Sequence, residues 1–428
     1  MINTRDIVLN ILMDIETNKT FSNQAISKAL SKNQFEDKRD RAFITRLAEG
    51  VMEQLISLDF IINQFSKTKV KKCKPLIRCV LRMGAYQILY MESVPDSAAC
   101  NESVKLVKSH GFGNLSGFVN GVLRNIARNK DNIAEPSGDK NSPEYLSVKY
   151  SMPQWLVEKL RIDYPEEYIK IIEGCFWDRD TSIRVNTTKI SREQLKDMLM
   201  DGGITVEYGN YDDKALLISD YDFIKKVPGY KKGYFTVQDE SSMCAIRAAG
   251  IKPGDYVVDL CAAPGGKTTC AAEYLEGQGN ICSMDISEDK LELIEENVSR
   301  LGFDNVSISC HDATQAIPDL KADVVIADLP CSGLGIIGRK NDIKYRLEEN
   351  QLADLVILQR QILDNAKNYV KAGGTLLYST CTINPAENQG NVKWFLEKYA
   401  EFDLVEEKLY LQGIDLCDGF YYAVLKKR

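Results

Sequence analysis

Histidine is nearly absent: the 428 residues hold two, His110 and His311. A Ser-His-Asp triad or a histidine-based metal centre is therefore not expected, and both read as ordinary surface or core residues. The twelve cysteines contain no Cys-x-x-Cys pair. That argues against a zinc ribbon, and their scatter argues against a disulfide framework, so most read as small buried apolar residues. No metal is expected. No apolar run approaches the roughly 18 residues of a membrane span. Met1-Ile2-Asn3-Thr4-Arg5-Asp6 lacks the basic-then-apolar pattern of a secretory leader. The expectation is a cytoplasmic chain with no membrane partner.

Charge is present but uneven. The first 130 residues carry 20 Lys and Arg against 12 Asp and Glu, a balance of +8. The remainder carries 34 against 49, or −15, giving the net −7. A basic module joined to an acidic one implies that the first part meets a polyanion. The length predicts two or three domains.

One stretch organises the rest, Tyr256-Val257-Val258-Asp259-Leu260-Cys261-Ala262-Ala263-Pro264-Gly265-Gly266-Lys267-Thr268-Thr269. A β-branched run reads as a buried strand, the Pro-Gly-Gly as a turn, and Lys267 onward as a helix start. Such a turn offers free helix N–H groups to a polar ligand. Gly266-Lys267-Thr268 also ends like a P-loop, but the glycine required five positions earlier is Cys261. Val324-Val325-Ile326-Ala327-Asp328 would still serve a nucleotide site as a magnesium-binding strand end, so that alternative is weakened rather than excluded.

Residues 1–130 have helical spacing, with Ile7, Val8, Leu9, Ile11, Leu12 and Ile15 on one face and Phe43, Leu47, Val51, Leu55 and Leu58 on another. Further helices are predicted over Pro75–Met91, Ser97–Lys108 and Ser116–Arg128. Lys67-Thr68-Lys69-Val70-Lys71-Lys72-Cys73-Lys74 places five lysines in eight residues between helices, as a phosphate-contacting loop or a solvated one. Gly117-Phe118-Val119-Asn120-Gly121-Val122-Leu123-Arg124, with Leu81-Arg82-Met83-Gly84-Ala85-Tyr86-Gln87-Ile88-Leu89, resembles the NusB-type RNA-binding module. The resemblance implies an all-helical domain that binds RNA or helps to position it.

Residues 131–143, with Pro136-Ser137-Gly138-Asp139, read as a linker. Residues 144–235 read as a small α/β subdomain, with helices over Trp155–Arg161 and Glu166–Cys175, a strand at Ser182–Asn186, and a helix from a Ser191 cap to Met200. Short strands are expected at Ile204–Val206 and Ala215–Ile218. Arg184 and Asn186 resemble the RNA-side motif that precedes the catalytic domain in RNA cytosine methyltransferases, or form a plain structural strand pair.

From Thr236 to the end of the chain, strands alternate with helices, which implies a parallel sheet with helices on both faces. Strands are predicted at 256–260, 281–284, 306–310, 323–327, 374–379 and near 420–425. Ligands in such sheets sit beyond the C-terminal strand ends, and Asp285, Asp312 and Asp328 fall there. This geometry fits a dinucleotide or S-adenosylmethionine, and the loop lacks the Gly-x-Gly-x-x-Gly of the first. Two cysteines then emerge at the same sheet edge, in Asp328-Leu329-Pro330-Cys331-Ser332-Gly333 and Ser379-Thr380-Cys381-Thr382. A thiolate added to carbon 6 of cytosine makes carbon 5 able to attack a methyl sulfonium, and a base must later remove the carbon-5 proton.

These motifs, with Val237-Gln238-Asp239-Glu240-Ser241-Ser242, Asn384-Pro385-Ala386-Glu387-Asn388 and Asp418-Gly419-Phe420-Tyr421-Tyr422, closely resemble RNA cytosine-5 methyltransferases. With the NusB-like head, the chain resembles the Sun/RsmB-type 16S rRNA methyltransferases. The resemblance implies a Rossmann-like S-adenosylmethionine-dependent methyltransferase domain (236–428) preceded by a small α/β RNA-recognition subdomain and an all-helical domain. It implies Cys381 as nucleophile, Cys331 as the residue assisting release, and Asp328 between methyl donor and base. It implies that Cys261, Ala262, Ala263, Pro264, Gly265, Gly266, Lys267, Asp285, Asp312 and Asp328 hold S-adenosylmethionine. Lys267 could instead meet substrate. Analogy with DNA cytosine methyltransferases, which attack from a Pro-Cys pair, would reverse the two cysteines. Around Gly338-Arg339-Lys340-Asn341-Asp342 a proline expected near Asn341 is missing. The resemblance further implies naked 16S rRNA as partner and a monomer. A relative acting on transfer RNA would share the catalytic half, and a non-catalytic assembly factor is the alternative of another class.

Overall fold

The computed structural model describes residues 3–33 and 37–428. Met1, Ile2 and residues 34–36, which fall in the predicted helical region, lie outside the described residues. The chain divides into two compact units, one reaching Tyr168 and including Arg339–Leu347, the other Ile169–Gly338 with Glu348–Arg428. Packing therefore takes residues 144–168 and a nine-residue piece of the late sequence into the first unit.

The first unit is helical: α1 (Thr4–Asn18), α2 (Ser22–Asn33), α3 (Lys38–Glu53), α4 (Leu55–Phe65), α5 (Pro75–Tyr90), α6 (Asp96–Ser109), α7 (Ser116–Arg128), α8 (Pro143–Lys149) and α9 (Gln154–Asp163). The helical spacing from Phe43 to Leu58 is split at Gln54 into α3 and α4. Helix α5 is buried from Ile77 to Ile88 on nearly every face, as a central helix must be. Val8, Leu47, Leu58, Val107 and Leu123 are buried in the same core. Arg82, on this central helix, is matched by a two-pronged contact to Asp59 at 2.7 and 2.8 Å and by Glu16 at 3.2 Å.

All of α10 (Tyr168–Gly174) but its first residue belongs to the second unit. A small antiparallel sheet follows, of β1 (Thr181–Val185), β2 (Thr205–Tyr208), β3 (Ala215–Ser219) and β4 (Phe235–Val237), in the order β2-β3-β1-β4, with α11 (Arg192–Asp201). Ser191 caps α11 through a full capping box with Gln194. After α12 (Glu240–Ala248) comes the large sheet: β5 (Tyr256–Asp259), α13 (Gly266–Tyr274), β6 (Asn280–Asp285), α14 (Glu288–Leu301), β7 (Val306–Cys310) and β8 (Ala322–Asp328). The short α15 (Ile343–Arg346) belongs to the first unit. Then follow α16 (Gln351–Tyr369), β9 (Val370–Thr380), α17 (Gln389–Lys398), β10 (Phe402–Tyr410) and β11 (Phe420–Lys427).

The sheet order is β10-β11-β9-β8-β5-β6-β7. The five strands β9, β8, β5, β6 and β7 are parallel, as expected for a Rossmann-like sheet. Strand β11 is antiparallel to both its neighbours, β9 and β10, which modifies the fully parallel expectation. Buried cores line both faces of the sheet. Strand β10 escaped the sequence pattern because it is an edge strand with most of its residues exposed. No helix among the described residues is long and apolar enough to cross a membrane.

Candidate active site

The glycine turn sits at the C-terminal end of β5. Gly265 caps α13 in the left-handed region (φ 96°), and no side chain caps the helix there. A Cβ on Gly265 would also come within 3.3 Å of Ile294 Cα, so dihedral and space both favour glycine. The first N–H groups of α13 have no carbonyl of their own helix to bond. Ala262 N–H donates to Met284 O at 2.8 Å, tying the loop to β6. Cys261 is half-buried, and burial pushes its thiol well above the ordinary pKa. The Pro264 carbonyl accepts from Asn297 at 2.9 Å.

Carboxylates stand at four successive strand ends. Asp259 is fully buried; its Oδ2 accepts from Thr268 Oγ1 at 2.7 Å, and its Oδ1 has no hydrogen-bond partner. Burial pushes its pKa up to about 7 against the Thr268 hydrogen bond, with negative Asp328 adding to the rise. Asp285 accepts from Ala263 N at 3.0 Å, Ile286 N at 2.8 Å and Lys290 Nζ at 2.9 Å. Asp312 accepts from the hydroxyl (2.7 Å) and N–H (2.9 Å) of Thr314, which hold its carboxyl below the usual range. Asp328 receives Lys267 Nζ at 2.7 Å and Ser379 Oγ at 2.8 Å. Strand-end acids suit ribose hydroxyls and a cationic sulfonium or ammonium; the bare helix N-terminus suits a carboxylate. With the orphaned Asp259 Oδ1, this donor set fits S-adenosylmethionine.

Lys267 sits between the acids and the cysteines. Burial works against its ammonium, but the charge and hydrogen bond of Asp328, with Cys381 behind them, hold its pKa above the ordinary lysine value. Its Nζ also lies 5.0 Å from the Phe420 ring centroid, a cation–π contact.

Strands β8 and β9 are parallel neighbours with Asp328 opposite Ser379, so the loops after them leave the sheet side by side. The Cys331 and Cys381 sulfurs consequently meet at 3.3 Å as free thiols in hydrogen-bond contact. That contact with Cys381 and then burial raise the Cys331 pKa well above the ordinary thiol value.

Several residues of this site had no role assigned from sequence. Ser379 orients Asp328. Lys290, one turn into α14, meets Asp285. Glu387, buried and next to α17, accepts from both the N–H and the hydroxyl of Ser332. The Asn384–Asn388 stretch pointed to Glu387; nothing in the pattern around Gln359, which donates to Pro330 O at 2.8 Å, pointed to it.

Arg184 and Asn186 correct the sequence expectation of RNA contact. Both are at 0% exposure. Arg184 donates to Glu273 (2.8 Å), Gly266 O (2.9 Å), Thr269 (3.0 Å) and Gln238. Asn186 donates to the carbonyls of Gly233 and Leu301, each at 3.0 Å. A side chain spent wholly on internal partners presents nothing to a ligand; these two brace the small sheet against α13 and α14. The five lysines between Lys67 and Lys74 are all exposed. Among the described residues no group of three or more His, Cys, Asp or Glu side chains is placed to hold a metal.

Three family models match the chain: 16S rRNA methyltransferase RsmB/F over residues 248–426, the NusB family over 2–128, and an RsmF/B-like ferredoxin-like domain over 152–221. The probable ribosomal RNA small subunit methyltransferase B of Bacillus subtilis (strain 168) is 34% identical, across 93% of this chain and 89% of its own. The ribosomal RNA small subunit methyltransferase B of Escherichia coli O1:K1 / APEC is 31% identical over 91% of each. The crystal structure of PH0851 superposes with a TM-score of 0.86 at 27% identity, over 100% of this chain and 99% of the other. NSun6 from Pyrococcus horikoshii with SFG gives 0.60 at 25% identity, over 66% and 99%. A methyltransferase sheet with an acid-lined cofactor loop, behind a NusB-family helical domain, thus places the chain in the S-adenosylmethionine-dependent ribosomal RNA small subunit methyltransferase B family.

Proposed function

We propose that the protein transfers a methyl group to carbon 5 of a cytidine in 16S rRNA through a covalent bond from Cys381 to carbon 6. The observation that carries this is the pair of sulfurs 3.3 Å apart beside Lys267 and Asp328. When bound, S-adenosylmethionine supplies the electrophilic methyl, held by the loop Cys261–Lys267 with Asp285 and Asp312. Asp328 and Lys267 face the base; the proton that leaves the Cys381 thiol passes to N3, and the new N3–H donates to the Asp328 carboxylate, which stabilises the electron-rich ring. The Cys381 sulfur adds to carbon 6 and electron density moves to carbon 5. The new carbon–carbon bond forms as the sulfonium carbon–sulfur bond breaks. A base then takes the carbon-5 proton, the pair returns to the ring, and the Cys381 sulfur departs as thiolate.

Cys331 is the residue that serves release. Its sulfur shares a hydrogen-bond contact with that of Cys381 at 3.3 Å; once Cys381 has given up its proton and bonded carbon 6, that contact no longer holds Cys331, which is freed to act. The helical domain and its exposed lysine loop hold the surrounding RNA by its phosphates. The reading predicts that Cys381→Ala abolishes turnover, whereas Cys331→Ala traps a covalent protein–RNA adduct on a denaturing gel. The opposite pattern would assign the attack to Cys331. Absence of any adduct from either variant, with the cofactor bound, would remove the covalent route.

A further inference from the structure

Glu387 lies in the Asn384-Pro385-Ala386-Glu387-Asn388 stretch and touches neither cysteine, yet its contacts converge on them. Its carboxylate is at 0% exposure with four donors on two oxygens and no cation among them. Oε2 accepts from Ser332 N at 3.0 Å and Gln359 Nε2 at 2.8 Å. Oε1 accepts from Asn384 Nδ2 at 2.9 Å and from the Ser332 hydroxyl. Burying a carboxylate is costly unless its lone pairs are bonded, and here they are all used.

The donors flank the reacting sulfurs. Ser332 follows Cys331, and its hydroxyl also meets Thr382, which follows Cys381, at 2.7 Å. Gln359 reaches Pro330 O on the other side of Cys331 at 2.8 Å. Asn388, the next residue after Glu387, holds Thr380 Oγ1 at 2.6 Å and Thr382 O at 2.9 Å, on either side of Cys381. Two loops from neighbouring strands would otherwise diverge beyond the sheet. This buried polar network gives them one arrangement.

We infer that Glu387 is a positioning residue for the two-cysteine centre: by gripping both the N–H and the hydroxyl of Ser332 it fixes the Cys331 thiol against Cys381. The inference rests on the proposed division of labour between the cysteines. In Glu387→Ala, Ser332 loses two bonds and the Cys331 loop is released, while the cofactor loop, which Glu387 does not touch, is left in place. In Glu387→Gln the side-chain oxygen still meets Ser332 N–H and Gln359 Nε2, and the rotatable Ser332 hydroxyl can accept from the new NH2 group; Asn384, whose amide oxygen accepts from Ala386 N at 3.3 Å, loses its one bond to the side chain.

The test has two arms. In the first, the full-length protein, Glu387→Ala and Glu387→Gln are alkylated with iodoacetamide, and Cys331 and Cys381 are followed separately by peptide mass spectrometry. Cys331 should be alkylated about tenfold faster in the alanine variant than in the glutamine variant, which shares the loss of the Glu387 charge but keeps the Ser332 contacts. In the second, turnover and adduct are followed with unmodified rRNA. Glu387→Ala should lower kcat about tenfold with both KM values little changed and should accumulate adduct, as Cys331→Ala does; Glu387→Gln should restore turnover. Should Glu387→Ala fail to fold, Ser332→Ala removes one of the two grips and should show the same effects more weakly. Equal Cys331 alkylation rates in folded Glu387→Ala and Glu387→Gln would overturn the inference. So would equal losses in the glutamine and alanine variants. If Cys331→Ala traps no adduct, the release role falls, and the alkylation arm still decides the positioning role.

Discussion

Arg184 brings a full positive charge to a position with no solvent exposure, matched by the equally buried Glu273. Removing Arg184 leaves the buried Glu273 with Lys214 Nζ at 3.2 Å as its remaining cation, so the cost should approach but not exceed the about 3–5 kcal/mol of a buried pair broken outright. Arg184→Ala should therefore lower the melting temperature sharply, and any loss of RNA affinity should track the unfolded fraction. A folded variant with weak RNA binding alone would contradict this. Asp259 gives a prediction in pH. An unfolded Asp titrates near 4, and the folded group near 7. Between those values the native state holds a proton that the unfolded chain has lost, so stability falls as pH rises from about 4 to about 7, by on the order of 4 kcal/mol, and is flat above. Asp259→Asn lacks this loss. Its melting temperature relative to wild type should rise between pH 5 and pH 8, and an unchanged difference would refute the assignment. At this scale the sequence displayed the residues that end strands, since motif and strand pattern coincide at Asp285, Asp328, Cys331 and Cys381. It did not display what Arg184 bonds to, because an arginine written into a strand looks the same whether its partners are phosphates or a carboxylate 89 positions away.

Among elements, the alternation of strands and helices from Tyr256 onward was legible because each strand of the parallel sheet is a short, largely apolar run. Strands β4 and β10 were not, one being only three residues long and the other exposed and acidic along an edge. The segment Arg339–Leu347 is the larger surprise. Asp342 is buried and accepts from the N–H and hydroxyl of Ser22 at 3.1 and 3.0 Å, at the start of α2. Lys344 donates to Glu53 O at 2.9 Å, at the end of α3, and Arg346 reaches the carbonyls of Lys19 and Thr20, just past the end of α1. The late segment thus completes helix ends written some 300 residues earlier, which no local pattern can announce. Loss of a helix-start acceptor costs about 1 kcal/mol, and Arg346 would lose its 3.1 Å partner as well. Asp342→Ala should lower the melting temperature measurably while leaving cofactor affinity unchanged; a reduced cofactor affinity in the folded variant would contradict this confined role.

For the molecule as a whole, charge is divided as +8 over residues 1–130 and −15 over the remainder. Cutting the chain at residue 130 would not isolate RNA binding from methylation, since the first compact unit extends to Tyr168 and includes Arg339–Leu347. Neutralising Lys67, Lys69, Lys71 and Lys72 to Gln is the cleaner test, because all four are exposed. RNA affinity should fall and its salt dependence become shallower, with cofactor affinity unchanged; unaltered RNA binding would mean that the loop is only solvated. The measurement that bears most directly on the proposed reaction is transfer of label from S-adenosylmethionine to unmodified 16S rRNA, followed by nucleoside analysis, with transfer RNA in parallel. Label in 5-methylcytidine from the rRNA alone is the predicted result. Label in another nucleoside, label from transfer RNA alone, or no label while the cofactor binds would contradict it.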